Sequence, residues 1–341
     1  MTTAAPSRPR SSAQQPAEPV APRQFLWLVV LAAIWGGSFL LIKVAVTTLQ
    51  PLWVSTGRLL FGGLALAVVV VGMALRQRVR GASDSSYVGG WLPRDPRAWL
   101  HNAVIGIVGC AIPFSLLAFA EARISSLLAG IWNATTPLFA LPLAVLVFRT
   151  EQLTVRRLAG LITGLLGALI ILGVWDMAAG PADLPGQLMC LGAAACYGIS
   201  FGYTRRFVSR RSEPTAVAAL VQMICGLVVL VPVALLTAGP PPPDDLTWQP
   251  LLAVVGLGAI GTGVAYLINL RNISIMGAST ASTVTYLTPV FATTLGVAVL
   301  GERMTWHQPV GAVVVLLGVA IAQGLIGRRR RLRPVAGEEP R

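Results

Sequence analysis

Polar and aromatic side chains recur at helical spacing inside two long apolar stretches of this sequence. In one of them Thr262, Tyr266 and Asn269 stand three or four residues apart, which places them on one face of a helix. The other stretch carries Ser279, Ser282, Thr283, Tyr286 and Thr293 in the same way. Hydroxyl, phenol and amide groups donate and accept hydrogen bonds, so these faces could bind a polar solute. The alternative for each Ser or Thr alone is a bond between helices, worth about 0.6 kcal/mol.

Three further apolar stretches carry candidates of the same kind. They are Trp35 with Ser38, then Trp132 with Asn133, Thr136 and Phe139, and then Tyr197 with Ser200. An amide left unpaired in hydrocarbon is costly, so it must find a partner in the protein or in a ligand. Both kinds of partner stay open for Asn133, Tyr266 and Asn269.

Arg58 is a charged candidate, because it lies about 10 Å inside its apolar stretch at about 1.5 Å per helical residue. That depth makes it hard for the side chain to reach water, so an interior position is expected. Its planar guanidinium suits a substrate carboxylate. Pairing within the protein is the alternative, and it is favoured because buried arginines often pair there. Lys43 lies nearer the end of its stretch and is expected to extend towards water.

Acidic residues are informative through their positions, because all thirteen lie in loops, in tails or at the ends of apolar stretches. Proton-driven antiporters commonly use a buried carboxylate, so coupling through such a group is not supported. Glu121 is the nearest candidate, and pairing with Arg123 or with the membrane interface explains it more simply. Facilitated or weakly coupled transport is therefore expected.

No pattern indicates catalysis, a metal or a cofactor. Cys110, Cys190, Cys196 and Cys225 lie in apolar stretches without a C-x-x-C motif or a nearby histidine, and are predicted to be small buried hydrophobes. Residues 256–261 fit the dinucleotide pattern G-x-G-x-x-G, yet no strand precedes them, so they are predicted to be a close-packing helix surface. A lipid-modifying enzyme would need paired acids or a His with an Asp, and none is visible.

Composition identifies an integral membrane protein, since 55% of residues are hydrophobic, 11% are charged and the mean hydropathy is +0.73. The runs are apolar on all sides, which excludes the alternating pattern of a membrane β-barrel. About 20 apolar residues cross a bilayer, and ten runs of that kind are present. The predicted spans are Phe25–Thr47, Leu52–Leu75, Ala98–Ala120, Ile124–Phe148, Arg157–Val174, Gln187–Phe207, Thr215–Ala238, Gln249–Leu270, Ala278–Leu300 and Gln308–Ile326.

Basic residues predict the orientation, because Lys and Arg near span ends stay on the cytoplasmic side. With both termini inside, the outer face keeps only Arg123 and Arg303, apart from the intramembrane Lys43 and Arg58. The net charge of +13 is spread over short loops and one tail, so topology explains it better than a nucleic-acid partner. One lysine against 25 arginines is typical of a GC-rich bacterial genome, so a bacterial plasma membrane is the expected location.

The second half of the chain repeats the first. A shift of 152 residues brings Thr136, Pro137, Phe139 and Ala140 onto Thr288, Pro289, Phe291 and Ala292. A shift of 162 residues lays Trp35, Gly36, Ser38 and Phe39 over Tyr197, Gly198, Ser200 and Phe201. Each unit has five predicted spans, and an odd number of crossings inverts the second copy relative to the first. Inverted copies suit alternating access to a central site.

At these residues the sequence resembles the drug/metabolite transporter superfamily, specifically the ten-helix EamA-type exporters with two EamA domains. The resemblance extends over about Phe25–Ile326 and includes the helices of Pro137 and Pro289 and the Gly301-Glu302 pair. The first half departs from it, with Arg149-Thr150-Glu151 in place of Gly-Glu. The expected organisation is a disordered tail over residues 1–24, repeats over residues 25–175 and 185–326, and a basic tail over residues 327–341.

The resemblance implies an all-α polytopic fold of ten helices with a central cavity lined by helices 1, 3, 4, 6, 8 and 9. It also implies secondary export of small metabolites, such as amino acids or related amphipathic compounds, with multidrug efflux or an uptake permease as alternatives. The expected partners are a small-molecule substrate and the lipid bilayer, with monomer and homodimer both left open. The predicted substrate-binding residues are Trp35, Ser38, Arg58, Trp132, Asn133, Tyr197, Tyr266, Asn269, Thr283 and Tyr286.

Overall fold

The computed structural model describes residues 22–79, 87–88, 92–149, 154–172, 183–208, 213–276 and 284–323. These parts form ten helical segments and confirm the predicted all-α polytopic class. The first five are α1 (Pro22–Ala45), α2 (Pro51–Val79), α3 (Pro96–Glu121), α4 (Ser126–Val147) and α5 (Val155–Leu172). The next three are α6 (Leu184–Val208), α7 (Thr215–Ala238) and α8, whose consecutive pieces are Trp248–Gly258, Ala259–Val264 and Ala265–Met276. The last two are α9 (Val284–Leu300) and α10 (His307–Gln323).

Two short elements lie outside the helices. A two-stranded antiparallel hairpin, β1 (Tyr87–Val88) and β2 (Leu92–Pro93), stands between α2 and α3. A single 3₁₀ turn, Pro243–Asp245, precedes α8. Helix α1 begins at Pro22, so it takes in the last residues of the predicted disordered tail; the rest of that tail and the predicted basic tail lie outside the described residues.

The helices have the length and surface of a membrane protein. Within the described ranges, α1 to α4 and α6 to α8 are long and apolar enough to cross a bilayer, while α9 and α10 contain shorter apolar helices. Large apolar side chains face outward, such as Val68 at 74% exposure and Leu236 at 86%. A surface of this kind is stable against lipid rather than water.

Close glycine contacts hold helices of the two repeats together at equivalent places. A Cβ atom added to Gly36 of α1 would lie 2.5 Å from the Cβ of Phe291 in α9. One added to Gly198 of α6 would lie 3.0 Å from the Cβ of Phe139 in α4. These are the positions that coincide when the sequence is laid on itself. The repeat is therefore visible in packing as well as in sequence, because α1 packs against α9 in the same way as α6 packs against α4.

The same correspondence holds for two other helix pairs. Gly106 of α3 faces the main chain of Gln222 and Gly226 in α7, and Gly258 of α8 faces the main chain of Arg58 and Gly62 in α2. Helices α5 and α10 also meet through small residues, since a Cβ added to Gly318 would lie 2.6 Å from the Gly160 carbonyl oxygen. Small residues of this kind let membrane helices approach backbone to backbone.

Four segments of the described residues are wound as π-helix, and two of them lie at corresponding places in the core. Residues Gly106–Ala111 of α3 and Ala259–Val264 of α8 are wound as π-helix. Such insertions are uncommon and occur often at functional sites, because they redirect the side chains of one turn. Under the shift of 152 residues that relates the repeats, Cys110 and Phe114 of α3 correspond to Thr262 and Tyr266 of α8. Each π segment therefore supplies one of these side chains, Cys110 or Thr262, and the α-helical turn after it supplies Phe114 or Tyr266.

Helix α4 is interrupted just before a proline. It breaks at Ala134 and Thr135, and Pro137 has no N–H to continue the ladder. The freed carbonyl of Asn133 accepts a bond from the Thr136 hydroxyl at 2.7 Å. Main-chain polar groups inside a membrane must be satisfied within the protein, and here a neighbouring hydroxyl does so.

Candidate functional site

The guanidinium of Arg58 lies in the interior, where α2, α3 and α8 meet. Its carbon Cζ is 3.8 Å from the centre of the Phe114 ring, and its Nε donates a hydrogen bond to Thr262 Oγ1 at 3.1 Å. The residue is 8% exposed. A cation over an aromatic face is attracted by the ring, most strongly where water is excluded. The arrangement therefore fixes the plane of the guanidinium.

Two tyrosines, a cysteine and the Glu121 carboxyl also lie within electrostatic range of this cation. Tyr197, Tyr266 and Cys110 lie within electrostatic range of the guanidinium, and the Tyr266 hydroxyl is 4.0 Å from the Cys110 sulfur. Arg58, Cys110, Phe114, Tyr197, Thr262 and Tyr266 together are called the Arg58 cluster below. The cluster draws its side chains from α2, α3, α6 and α8, and hence from both halves of the chain.

The Arg58 cluster has an unused binding capacity. The guanidinium carries five N–H donors in a planar fork, and within the described residues it makes one hydrogen bond, to Thr262, with no carboxylate at ion-pair distance. A buried cation is costly unless it is paired. A carboxylate would fit this fork through two parallel bonds. The phenols and the Phe114 ring could then contact both polar and apolar parts of such a molecule.

Of the ten predicted binding residues, Arg58, Tyr197 and Tyr266 therefore lie in one cluster. Ser38 is buried and donates to the Ile34 carbonyl of its own helix at 3.0 Å. Trp35 is half-buried and packs against the apolar core group that contains Leu31 and Ala265. These contacts are intramolecular, so the structure shows Ser38 and Trp35 in packing and hydrogen-bonding positions.

Trp132 and Asn133 differ from each other although they are adjacent in α4. Trp132 is 1% exposed, and its indole N–H donates to Gln187 Oε1 of α6 at 3.0 Å. Asn133 is half-buried, and its Oδ1 has no hydrogen-bond partner in the described ranges. Asn269 is half-buried in α8. Thr283 lies outside the described residues, and of Tyr286 only the position within α9 is described.

A group of charged side chains at one end of the bundle was not predicted. Lys43, at the end of α1, does not extend towards water but donates to the main-chain carbonyls of Glu121 and Ile124 at 2.6 and 2.8 Å. The carboxylate of Glu302, after α9, accepts bonds from Ser126 and Leu127 at the start of α4. Lys43, Glu121, Ser126 and Glu302 are called the end cluster below. The sequence does not predict the end cluster, because Lys43 and Glu302 lie far along the chain from Glu121 and Ser126.

Glu121 and Arg123 do not pair, contrary to the expectation from sequence. Arg123 Nε lies 3.0 Å from Asp183 Oδ1, just before α6. Asp183 also accepts a hydrogen bond from the Gly186 N–H at 3.0 Å. The Gly186 N–H first, and then Arg123, lower the pKa of the Asp183 carboxyl below its usual value. Glu121, in contrast, is fully buried.

An apolar pocket of about 330 Å³ lies away from the Arg58 cluster, between α4, α5 and α6. Its lining is Trp132, Thr135, Leu138, Phe139, Leu161, Leu165, Ala168, Leu169 and Leu191. Leu165 and Leu169 are exposed on the outer surface, so the pocket faces the lipid side. A hydrocarbon chain suits it better than a polar solute.

Metal and redox chemistry find no support in the described ranges. No group of three or more His, Cys, Asp or Glu there could hold a metal ion. The four cysteines are free, with Cys110 and Cys190 buried and Cys196 and Cys225 half-buried.

Comparison with known proteins agrees with this architecture. The EamA-like transporter family matches residues 23–173 and again residues 184–323. The uncharacterized inner membrane transporter YedA of Escherichia coli (strain K12) is 26% identical over 86% of this chain and 88% of its own length. The WAT1-related protein At3g02690, chloroplastic, of Arabidopsis thaliana is 24% identical over 86% of this chain and 68% of its own length. Protein PecM of Dickeya dadantii (strain 3937) is 24% identical over 70% of this chain and 80% of its own.

A solved crystal structure has the same fold. It superposes with a TM-score of 0.59 at 19% identity and covers 89% of this chain and 98% of the other. At that identity the likeness concerns the fold alone.

Proposed function

The chain belongs to the EamA-like transporter family, and we propose that this membrane transporter exports small metabolites, such as amino acids or related amphipathic compounds, by alternating access. It is not an enzyme, so its buried polar residues serve binding and movement rather than bond chemistry. We place it in the bacterial plasma membrane with both termini in the cytoplasm, on the distribution of its arginines. The end cluster then lies at the outer face.

The unpaired guanidinium of Arg58 carries the proposal for the substrate class. Phe114 and Thr262 hold the guanidinium in one plane, yet within the described ranges no acidic side chain lies at ion-pair distance from it, although the buried Glu121 is within electrostatic range. An anionic group on the solute would remove the cost of this buried charge and use the free N–H donors. The preferred solute is therefore one that carries a carboxylate.

The aromatic members of the Arg58 cluster favour a solute with an apolar part as well. Phe114 is buried beside the guanidinium, and Tyr197 and Tyr266 present rings with a hydroxyl at one end. Such rings contact an apolar body while the hydroxyl binds a polar group. An amino acid or a related amphipathic acid has both parts.

Alternating access is supported by the equivalent contacts of the two repeats, which we place at residues 25–175 and 185–326. Helix α1 meets α9 through Gly36, as α6 meets α4 through Gly198. Two nearly equivalent packings allow the halves to exchange arrangements, so that a site between them opens to one side and then to the other. The Arg58 cluster, drawn from both halves, occupies such a position.

The direct test is uptake by inside-out vesicles that contain the purified protein, with protein-free vesicles as the control. The probes are radiolabelled amino acids, each compared with the amine that lacks its carboxylate. We expect uptake of one or more amino acids and much less of the matching amines. Equal uptake of acids and amines, or movement of organic cations only, would contradict the proposed substrate class. Uptake only by right-side-out vesicles would indicate a permease that works inward.

A further inference from the structure

Glu121, the last residue of α3, carries a carboxyl group that is fully buried but accepts no hydrogen bond in the described residues. The residue is 0% exposed, and neither oxygen of its side chain has a hydrogen-bond partner in the part of the chain that the structure describes. An ionised carboxylate taken out of water without partners is strongly destabilising, by far more than a neutral carboxylic acid. This enclosed site therefore suits the protonated form.

Lys43, Arg58, Glu302 and the Cys190 thiol lie within electrostatic range of Glu121, yet none of them makes a hydrogen bond to its side chain in the described residues. From α1, the Lys43 ammonium binds the main-chain carbonyls of Glu121 and Ile124. From α2, the Arg58 guanidinium lies over Phe114. From α6 the Cys190 thiol, and after α9 the Glu302 carboxylate, are the other titratable groups in electrostatic range.

Glu302 shows how an acid with a structural role is held at the same end. Its oxygens accept hydrogen bonds from the Ser126 N–H at 2.8 Å, the Ser126 hydroxyl at 3.0 Å and the Leu127 N–H at 2.9 Å. The start of a helix favours a negative charge, so Glu302 fits there as a carboxylate. Glu121 has no such set of donors in the described ranges. A role in holding the helices together does not explain why an acid stands there.

We propose that Glu121 is a proton-binding site, occupied when the outer end of the bundle is closed and emptied when that end opens. The inference rests on the proposed alternating access. In the closed arrangement one carboxyl oxygen holds the proton. On opening, water enters, the carboxyl transfers its proton to a water molecule and forms hydronium, and the resulting carboxylate is hydrated. Lys43, only a hydrogen bond away from the Glu121 main chain, can then pair with it.

The proposal fixes the sign of the pH response. A proton that binds the closed arrangement better than the open one shifts the equilibrium towards the closed arrangement as pH falls. An outer gate of this kind closes in acid surroundings and opens in neutral ones. It would link transport to the proton concentration outside, which the positions of acids in the sequence did not suggest.

The test measures the distance between spin labels at the outer end in the absence of any solute. Ala122, just after α3, and Arg303, after α9, are exposed. Ala122→Cys with Arg303→Cys places the two labels there once the four native cysteines are replaced by alanine. The range runs from about pH 4 to about pH 9, which brackets carboxyl and imidazole groups. We expect the short-distance population to grow as pH falls.

Glu121→Gln, neutral and of equal size, should give the short distance throughout that range. Glu121→Asp keeps the carboxyl and should retain the response with a shifted midpoint. His307→Gln and Asp183→Asn alter other titratable groups at this end and should leave the response unchanged. A Glu121→Gln protein that responds to pH like the parent overturns the proposal. A parent distance that stays constant over the range overturns it whatever the variants do.

The two proposals fail separately in this design. A pH-dependent distance without export in vesicles leaves the proton site in place and removes the proposed substrate class. Export together with a distance that does not change with pH supports the proposed substrate class and overturns the proton site at Glu121.

Discussion

Arg58 of α2 and Gln222 of α7 occupy corresponding positions in the two repeats. The carbonyl oxygen of each faces a glycine on a neighbouring helix, Gly258 for Arg58 and Gly106 for Gln222. Their side chains differ in role, because Gln222 Nε2 donates to Asn102 Oδ1 at 3.0 Å in a buried pair. The guanidinium of Arg58 instead enters the Arg58 cluster with most of its donors unused. Gln222 is thus a neutral side chain with a hydrogen-bond partner, whereas Arg58 at the equivalent position is a cation with most of its N–H donors unpaired.

Replacing Arg58 should reduce transport of a carboxylate without loss of folded protein. Arg58→Lys keeps the charge but loses the planar fork, and Arg58→Gln imitates the other repeat. A hydrogen bond to a charged group contributes about 1.5–3 kcal/mol, so the initial uptake rate in proteoliposomes should fall by about 10- to 100-fold. Arg123→Lys, which alters an exposed ion pair, is the matched control. Normal transport by Arg58→Lys at a normal protein level would remove Arg58 from the site.

The sequence predicts those features that depend on local pattern. Apolar length places the helices, and the Trp35-Gly36 and Tyr197-Gly198 pairs reveal the repeat; the structure then shows Gly36 and Gly198 in equivalent contacts with α9 and α4. A missing side chain allows close approach wherever it occurs, so a glycine inside an apolar helix is informative by itself. The interior position of Arg58 likewise follows from its depth in the span.

The sequence does not predict partners that are distant along the chain. Trp132 meets Gln187 of another helix, and Lys43 meets the main chain at Glu121. Glu121 and Arg123 stand two residues apart, yet Arg123 pairs with Asp183 while Glu121 is buried. Which acidic side chain finds a partner at this end of the bundle depends on how helices α1, α3, α4 and α6 pack. The hydropathy of the sequence carries no information about that packing.

The bond between Trp132 and Gln187 should prove structural. Trp132→Phe leaves the buried Gln187 amide without its partner, and an unsatisfied buried polar group costs about 1–3 kcal/mol. The apparent melting temperature in detergent should therefore fall. The double variant Trp132→Phe with Gln187→Leu removes both polar groups and should recover much of the loss. A double variant less stable than either single one would contradict this account.

Glycine-to-alanine substitutions should lower stability where the glycine is in close helix contact and have little effect where the glycine has free space around it. A Cβ at Gly36 would lie 2.5 Å from Phe291 Cβ and 2.8 Å from the Thr288 carbonyl oxygen, whereas Gly72 has no atom within 4 Å. Overpacking of a core costs about 1–3 kcal/mol. Gly36→Ala and Gly198→Ala should lower both the melting temperature and the amount of folded protein. Gly72→Ala should leave both unchanged or raise them slightly, and equal effects at Gly36 and Gly72 would show that the α1–α9 contact is looser than described.

The melting temperature of the protein should depend on pH in the acid range through Asp183, and the Asp183→Asn variant should lack this contribution. The Gly186 N–H and Arg123 lower the pKa of the folded carboxyl below its unfolded value, which is about 3.9 for aspartate. The stabilisation is then fully present above the unfolded pKa and is lost as pH falls through the folded one. The melting temperature of the parent should decline more steeply in acid than that of Asp183→Asn, and above about pH 5 the parent should be slightly the more stable. Every other titrating group is common to both proteins, so parallel melting curves across this range would show that Asp183 gains nothing from its two partners.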